Sequence, residues 1–379
     1  MVGTKQKPGQ QLALDLMTAG EQAPTDLQRF ADETFKISCV DLFCGAGGLT
    51  YGLNNGGINV VAGIDLDGSC KFPYEENNDA EFIHKSIEDV KAEDITTLLR
   101  GADFTMLAGC APCQPFSTYT RGGERKARDW RLLNSFRELI GGVKPDVVTM
   151  ENVPGLHRHD VFREFEAALE KWGYNVTLIT QANCPEYGIP QHRKRLILVA
   201  SRHGVVEPPC KTHAKGKFAT VRHTIGELPK IIAGETDASD PLHTASKLSE
   251  TNLKRIRASN PGGTWRDWPE ELVAACHKRK TGKSYPSVYG RMEWDQPSPT
   301  ITTQSFGFGN GRFGHPEQDR GLSLREAAML QTFPKDYKFL KPEDRIRFKA
   351  LGRLIGNAVP PGLGKAIAMS IRQHLRSLR

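Results

Sequence analysis

From residue 37 onward the chain alternates short apolar stretches with longer mixed ones. The apolar stretches are 37–43, 59–64, 104–107, 147–150, 174–179 and 196–200. Each is strand-length and mostly β-branched or aromatic, which predicts buried strands. Between them, 131–140 and 161–172 carry helical periodicity. Strands alternating with helices predict an open α/β sheet covered on both faces. Residues 1–36 are polar and lack a clear period. They predict a polar N-terminal extension, with 1–8 a mobile tail and one short amphipathic helix near 12–17.

The pattern changes after Ser201. Residues 201–296 hold five His and many Pro, Gly, Ser and Thr, with little periodicity. They predict a second, smaller, loop-rich domain. The α/β character returns over 297–379. Ser323 and Glu326 have capping-box spacing and predict a helix start. Residues 361–378 predict a terminal helix with Pro361 in its first turn. No internal repeat is visible.

Composition narrows the class. Over 379 residues, 38% are hydrophobic, enough for a sizeable core and too many for general disorder. No apolar run reaches the roughly 18 residues of a membrane span. The N-terminus lacks the apolar core of a secretory signal. Both features predict a cytoplasmic protein with no membrane partner. Eight Cys are far below the density of a disulfide scaffold. Net charge is +7, in itself a weak hint of a polyanionic partner. Its placement says more: residues 201–296 hold 16 Lys+Arg against 11 Asp+Glu, most of the excess.

In open α/β sheets, ligands bind beyond the carboxyl ends of the strands. After the first stretch comes Phe43-Cys44-Gly45-Ala46-Gly47-Gly48, and after the second Asp65-Leu66-Asp67. After the third comes Cys110-Ala111-Pro112-Cys113-Gln114-Pro115-Phe116-Ser117, and after the fourth Glu151-Asn152-Val153. A glycine turn, two acids and a Cys loop therefore converge on one edge. Glycines let the backbone approach a ligand, and Asp65 can accept ribose hydroxyls, which suits a nucleoside-containing cofactor. Thr50 stands where the dinucleotide fingerprint has Gly, so a tight turn without a ligand stays open as the bland alternative.

Cys110 and Cys113 form a C-x-x-C pair. The remaining Cys are scattered and no second pair exists, which argues against zinc. A redox pair is the second reading. The flanking Pro112 and Pro115 favour a third, a rigid turn presenting Cys113 as a single nucleophile. Glu151, ending an apolar strand, suits a general acid, with a salt bridge or helix cap as its bland alternative. Arg193 and Arg195 alternate ahead of the last strand and can share one cleft, against the plainer reading of a solvated edge. Gly356-Asn357-Ala358-Val359-Pro360-Pro361 is a turn before the last helix.

Together these residues resemble the DNA cytosine-5 methyltransferase family, of the restriction-modification type. The match runs over 37–200 and 296–371, with six motifs in family order. Asp41 to Gly48 resembles the cofactor loop, Pro112-Cys113-Gln114 the catalytic loop and Glu151-Asn152-Val153 the acid motif. Tyr187 to Arg195 resembles the paired-Arg strand, Arg325 to Pro334 the late helix motif, and Gly356 to Pro360 the terminal cofactor motif.

The resemblance implies a Rossmann-like methyltransferase sheet and a separate target-recognition domain. Its boundaries are 1–36 extension, 37–200 catalytic, 201–296 recognition, and 297–379 catalytic again. It implies S-adenosylmethionine as cofactor and methyl transfer to C5 of a flipped-out cytosine through a covalent Cys113 adduct. Catalytic roles fall on Cys113, Glu151, Arg193 and Arg195. Cofactor contacts fall on Phe43, Gly45, Ala46, Gly48, Asp65, Leu66, Pro112, Asn357, Ala358 and Val359. Ser86 and Ile87 stand where the family has an Asp and an apolar residue, and counting back from Glu151 gives Leu132. Gln114, Ser117, Arg121, Arg125, Lys126 and Arg128 would form a basic lid over DNA. Residues 297–303 resemble the junction to the catalytic domain, as a plain strand or as hydroxyls meeting phosphates.

Double-stranded DNA is the implied partner, with a cognate restriction endonuclease, a nucleoid location and action as a monomer. An RNA cytosine-5 methyltransferase shares the same motifs. A C-x-x-C or NAD-type oxidoreductase would leave Glu151, the Arg pair and Asn357 unexplained, and a non-catalytic DNA-binding module would leave the catalytic set unused. No metal site is expected. The charge placement predicts a DNA affinity that falls steeply with salt, and less steeply without residues 201–296. Binding titrations across a salt series check it.

Overall fold

The computed structural model describes residues 35–112, 126–279, 282 and 285–379, with the side chains of 126–129 outside the description. The expected tail and short N-terminal helix lie outside it, as do Cys113, Gln114, Ser117, Arg121 and Arg125. Residues 36–379 make one compact unit.

Each apolar stretch forms a strand: β1 Ile37–Leu42, β2 Asn59–Asp65, β4 Phe104–Gly109, β5 Val147–Asn152, β6 Asn175–Asn183 and β7 Lys194–Ser201. A short strand, β3 Glu81–His84, escaped the hydrophobic pattern because it buries one side chain, Phe82. The order across the sheet is β3-β2-β1-β4-β5-β7-β6. β1 to β5 pair in parallel. β7 runs antiparallel to both β5 and β6. This reversal matters for the site. Leu42 pairs with Ile64 and Gly109, and Gly109 with Met150, so the parallel strands end at a common edge. Asn152 pairs with Leu196, so the start of β7 meets the end of β5 there.

Helices α1 Gly48–Asn55, α2 Lys71–Asn77, α3 Ala92–Leu98, α4 Lys126–Val143 and α5 Asp160–Lys171 intervene. In α5 the buried stripe is Phe162, Phe165 and Leu169, one face of a helix. It joins Phe136 and Ile140 of α4 against Val40, Leu107, Val148 and Leu198 of the sheet. No helix among the described residues is long and apolar enough to cross a membrane.

Beyond β7 the chain is mostly loops, with short helices α6 Val221–Ile225, α7 Glu250–Arg257 and α8 Ala275–Lys278. Then come α9 Leu324–Leu330, α10 Phe348–Asn357 and α11 Pro361–Arg376. The capping box forms as expected: Ser323 Oγ accepts from Glu326 N at 3.1 Å, and Glu326 Oε2 accepts from Ser323 N at 2.7 Å. Pro361 occupies the first turn of α11. Residues 297–303 form no named strand. Ser298 makes a single bridge with Gln191, and Thr300 Oγ1 donates to His192 O at 2.5 Å.

The loop-rich segment shares a core with the C-terminal segment, 297–379. Val221, Ile225, Leu242 and Met292 cluster with Ile301, Phe313, Leu324, Phe333 and Ile355, and with Tyr74 of α2. A smaller cluster joins Ile256, Trp265 and Trp268 to Phe308. Excising 201–296 would open both clusters. Neutralising the exposed Lys215, Lys217 and Lys254 is therefore the sounder way to measure their share of the salt dependence.

Buried ions hold this second core in register. Arg320 is fully buried and donates two bonds of 2.7 Å to Glu326. Arg325 reaches across to Asp240 at 2.6 and 3.0 Å. Burial would raise the Glu326 carboxyl, but the Arg320 guanidinium outweighs it and holds Glu326 down to about 2. Burial lowers His315, 3.7 Å from Glu326, to about 4. Both folded values lie below the unfolded ones, so each contribution is present at neutral pH and lost on acidification. The His315 share fades from about pH 6.5 to 4, and the Glu326 share from about 4.5 to 2. Replacing His315 with Gln should flatten the upper part of that slope, as urea titrations between pH 7 and 4 would show.

Candidate active site

Four loops meet at the shared strand edge. After β1, Phe43 adopts φ 59°, unusual for a side-chain-bearing residue, and Gly45 and Gly47 follow at φ 54° and 87°. The chain folds back so tightly that Gly47 N donates to Cys44 O at 3.0 Å. Asp65 at the end of β2 anchors the turn. Its Oδ2 accepts from Gly45 N at 2.9 Å and its Oδ1 from Asp67 N at 2.8 Å. Burial raises its carboxyl, and the two backbone bonds pull the other way. Each oxygen keeps a free lone-pair direction, since a carboxylate accepts about four bonds.

Beneath the turn lies Asp41, 1% exposed. Thr50 Oγ1 donates to its Oδ2 at 2.7 Å and lies 3.1 Å from the Tyr74 hydroxyl. This explains Thr50 where a dinucleotide site has Gly: the position supplies a hydroxyl to a buried acid. Burial pushes Asp41 up to about 7, opposed by the Thr50 bond. From above, Tyr337 donates to Ala46 O at 2.5 Å. Neither Tyr74 nor Tyr337 carries a local sequence signal for these contacts.

The glycine turn touches the terminal motif directly. A Cβ on Gly48 would lie 2.5 Å from Val359 O and 3.4 Å from the Ala358 Cβ. Asn357 is exposed at the end of α10, Ala358 half-buried and Val359 buried. Beside Asp65, Leu66 is 69% exposed and offers an apolar face. A Cβ on Gly45 would meet nothing within 4 Å, so open space borders the turn. A carboxylate with spare acceptor capacity, an exposed apolar face and a sharp glycine turn fit a nucleoside-bearing cofactor. Ser86 is spent otherwise: its Oγ accepts from Glu88 N at 3.4 Å, capping a short turn. Ile87 is buried in the sheet core. Leu132 is half-buried against that core on α4, whose Arg131 lies 4.0 Å from Glu88.

At the ends of β4 and β5 the second half of the site assembles. Asn152 Nδ2 donates to Ala111 O at 3.0 Å and so holds the loop that leads to Pro112. Glu151 is 3% exposed. Its Oε1 lies 2.6 Å from Arg195 Nε, but misaligned, so the ion pair leaves Oε1 without a hydrogen bond. Its Oε2 accepts from Cys110 Sγ at 3.1 Å. The salt bridge that was the bland alternative for Glu151 is thus present, inside the cleft.

The two arginines are placed differently. Arg195, at the start of β7, faces Glu151. Arg193 precedes the strand and turns inward, with Nη1 3.0 Å from Ile301 O and Nη2 3.4 and 3.5 Å from Gly356 O and Ala358 O. Alternation predicts a shared cleft face, but β7 begins only at Lys194. Burial, and then the Arg195 charge, lower the proton affinity of Arg193. Gln191 and Gln331, both fully buried, complete this interior: Gln191 Nε2 donates to Gln331 Oε1 at 2.8 Å, and Gln331 Nε2 to Ile355 O at 2.8 Å. Lys126 and Arg128 begin α4, their side chains outside the description. Among the described residues no cluster could hold a metal ion.

Comparison with known proteins gives this arrangement its family. Residues 37–373 match the family model described as C-5 cytosine-specific DNA methylase. The Type II methylase M.HgiDII of Herpetosiphon aurantiacus is 52% identical over 342 residues, covering 89% of this chain and 96% of that one. A prophage-encoded DNA modification methyltransferase of E. coli superposes with TM-score 0.69 at 18% identity, over 90% of this chain and all of that one. Dnmt2 of S. pombe gives TM-score 0.59 at 19% identity, over 91% and 99%. The two structures speak to the fold. The chain belongs to the C-5 cytosine-specific DNA methylase family and is a DNA (cytosine-5)-methyltransferase.

The contact of Gly48 with Val359 sets a test. Gly48→Ala should cost about 1–3 kcal/mol by overpacking and lower Tm by several degrees. Gly155→Ala, whose Cβ meets nothing within 4 Å, should leave Tm nearly unchanged. Thermal unfolding of both variants decides it.

Proposed function

We propose that the protein is the modification enzyme of a Type II restriction-modification system. It would transfer a methyl group from S-adenosylmethionine to C5 of a flipped-out cytosine in a specific duplex DNA sequence. Glu151 carries the reading: a buried carboxylate beside the nucleophile loop, facing Arg195, on the same edge as the glycine turn. The similarity to M.HgiDII supports the restriction-modification context.

Cytosine C5 is a poor nucleophile, and the residues answer that. The Cys113 thiolate adds to C6, while Glu151 shares or gives a proton at N3. The ring becomes enamine-like and C5 gains electron density. S-adenosylmethionine supplies the electrophilic methyl group. Loss of the C5 proton to solvent water, with return of any N3 proton to Glu151, then expels the Cys113 thiolate and restores the aromatic ring. Arg195 holds the cytosine O2. Arg193 acts indirectly, tying Ile301, Gly356 and Ala358 beneath Arg195. Phe43, Gly45, Ala46, Gly48, Asp65, Leu66, Ile87, Pro112, Leu132, Asn357, Ala358 and Val359 form the cofactor pocket, with Asp65 accepting ribose hydroxyls. Ser86 contributes through its turn rather than through a carboxylate.

A base stacked in a duplex is out of reach of this buried edge, so it must swing out, at a cost of a few kcal/mol. The stretch 118–128 is the basic lid, with Gln114 and Ser117 as further DNA contacts ahead of it. Residues 201–296 are the target-recognition region, reading base edges from loops and phosphates through their excess positive charge. The enzyme acts as a monomer in the cytoplasm, on nucleoid DNA.

Bisulfite sequencing of duplex DNA incubated with protein and S-adenosylmethionine tests activity and target together. A single reproducible protected sequence is expected. Cys113→Ser and Cys113→Ala should abolish protection, and Glu151→Gln should slow it by about 100-fold or more, the scale of general acid assistance. A folded, cofactor-binding protein that protects no sequence context would refute the reading. Protection of RNA alone would reassign the substrate.

A further inference from the structure

The first cysteine of the C-x-x-C pair has no part in the chemistry above. It sits on β4's outgoing chain, half-buried, with its Sγ 3.1 Å from Glu151 Oε2. Among the described residues it is the one group that hydrogen-bonds the Glu151 carboxylate. Arg195 lies close to the other oxygen but out of line for a bond. The acid is thus oriented by a thiol on one side and balanced on the other by a cation that makes no hydrogen bond to it.

We propose that Cys110 is a positioning residue for methyl transfer: its thiol fixes the rotamer of Glu151 and keeps Oε1 turned toward the cleft. The inference rests on Glu151 acting at the cytosine ring nitrogen. A thiol suits this task because it is a weak donor. A hydroxyl in its place would make a shorter, charge-assisted bond that stabilises the carboxylate against sharing a proton. A methyl group would leave Oε2 buried without a donor and favour the protonated acid. Serine and alanine therefore err in opposite directions, which a packing role would not produce. The other charged or titratable groups facing Glu151 are Arg195 at the start of β7, Arg193 just before it, and Cys184 beyond β6. Burial raises the Cys184 thiol to about 11, so it stays neutral across the useful pH range.

The experiment is the pH profile of kcat, at saturating DNA and S-adenosylmethionine, for the full-length wild type, Cys110→Ser and Cys110→Ala. The high-pH limb of the profile should move to lower pH in Cys110→Ser and to higher pH in Cys110→Ala, each by about half to one unit. At pH 7.5, Cys110→Ser should lose several-fold in kcat with KM for DNA within twofold. Unchanged limbs, or limbs displaced in the same direction, would overturn the proposal. Glu151→Gln in the same assay separates the two readings. If it keeps wild-type activity, the role of Glu151 fails; if it is inactive while the Cys110 limbs stay put, only the role of Cys110 fails.

Discussion

Backbone contact between the first and last helices is the constraint on which both halves of the site depend. A Cβ on Gly52 of α1 would lie 2.3 Å from Pro361 O, and one on Gly56 2.3 Å from the Ala368 Cβ. With Gly48 against Val359, the three glycines form one smooth stripe that α11 lies upon. Such close approach tolerates no side chain. It draws the turn before α11 to the end of β1, although more than 300 residues separate them. Without it the glycine turn would open to solvent on the side that Ala358 and Val359 cover.

The same turn is held from beneath by the polar interior. Arg193 and Gln331 both direct donors at Ala358 O, at 3.5 and 3.4 Å. Gln191 connects them, accepting from Ile301 N at 2.8 Å while it donates to Gln331. Every member is buried, and an unpaired member would carry a heavy desolvation cost. The residue next in line, two positions beyond Arg193, is Arg195 on Glu151. The glycine-turn edge and Glu151 are therefore joined through one carbonyl and one short backbone step. Displacing the terminal turn would disturb both, which is a physical reason for a chain to finish its fold where it began.

Much of this was legible beforehand, for identifiable reasons. Five strands were visible because burial leaves near-continuous apolar runs, and β6, half-buried at the sheet edge, through its run of β-branched and apolar residues. The capping box at Ser323 and the proline start of α11 were visible because local geometry dictates residue type. The hidden features depend on pairing between distant residues. The four residues of β3 bury one side chain, too few to show a period. The reversal of β7 leaves no mark on its composition, since a strand reads the same in either direction. That reversal also decides which arginine faces the cleft. Alternation gave Arg193 and Arg195 one face, but the regular strand starts between them, and the inner carbonyls of Ile301 and Gly356 take Arg193. Thr50 looked like a defect in a fingerprint until Asp41 and Tyr74 supplied its partners.

The C-x-x-C pair shows how far residue spacing can carry and where it stops. Spacing alone permits zinc, a redox pair or a lone nucleophile. The scatter of the remaining cysteines along the chain argues against zinc. The thiol of Cys110 faces a carboxylate 41 residues away, a contact that the redox reading does not call for. A thiol hydrogen-bonded to a buried acid has its proton engaged. That environment selects for a small, weak donor rather than for sulfur chemistry. On the proposed mechanism the two cysteines of one motif answer to different demands: one is chosen for nucleophilicity, the other for how little it binds the acid beside it.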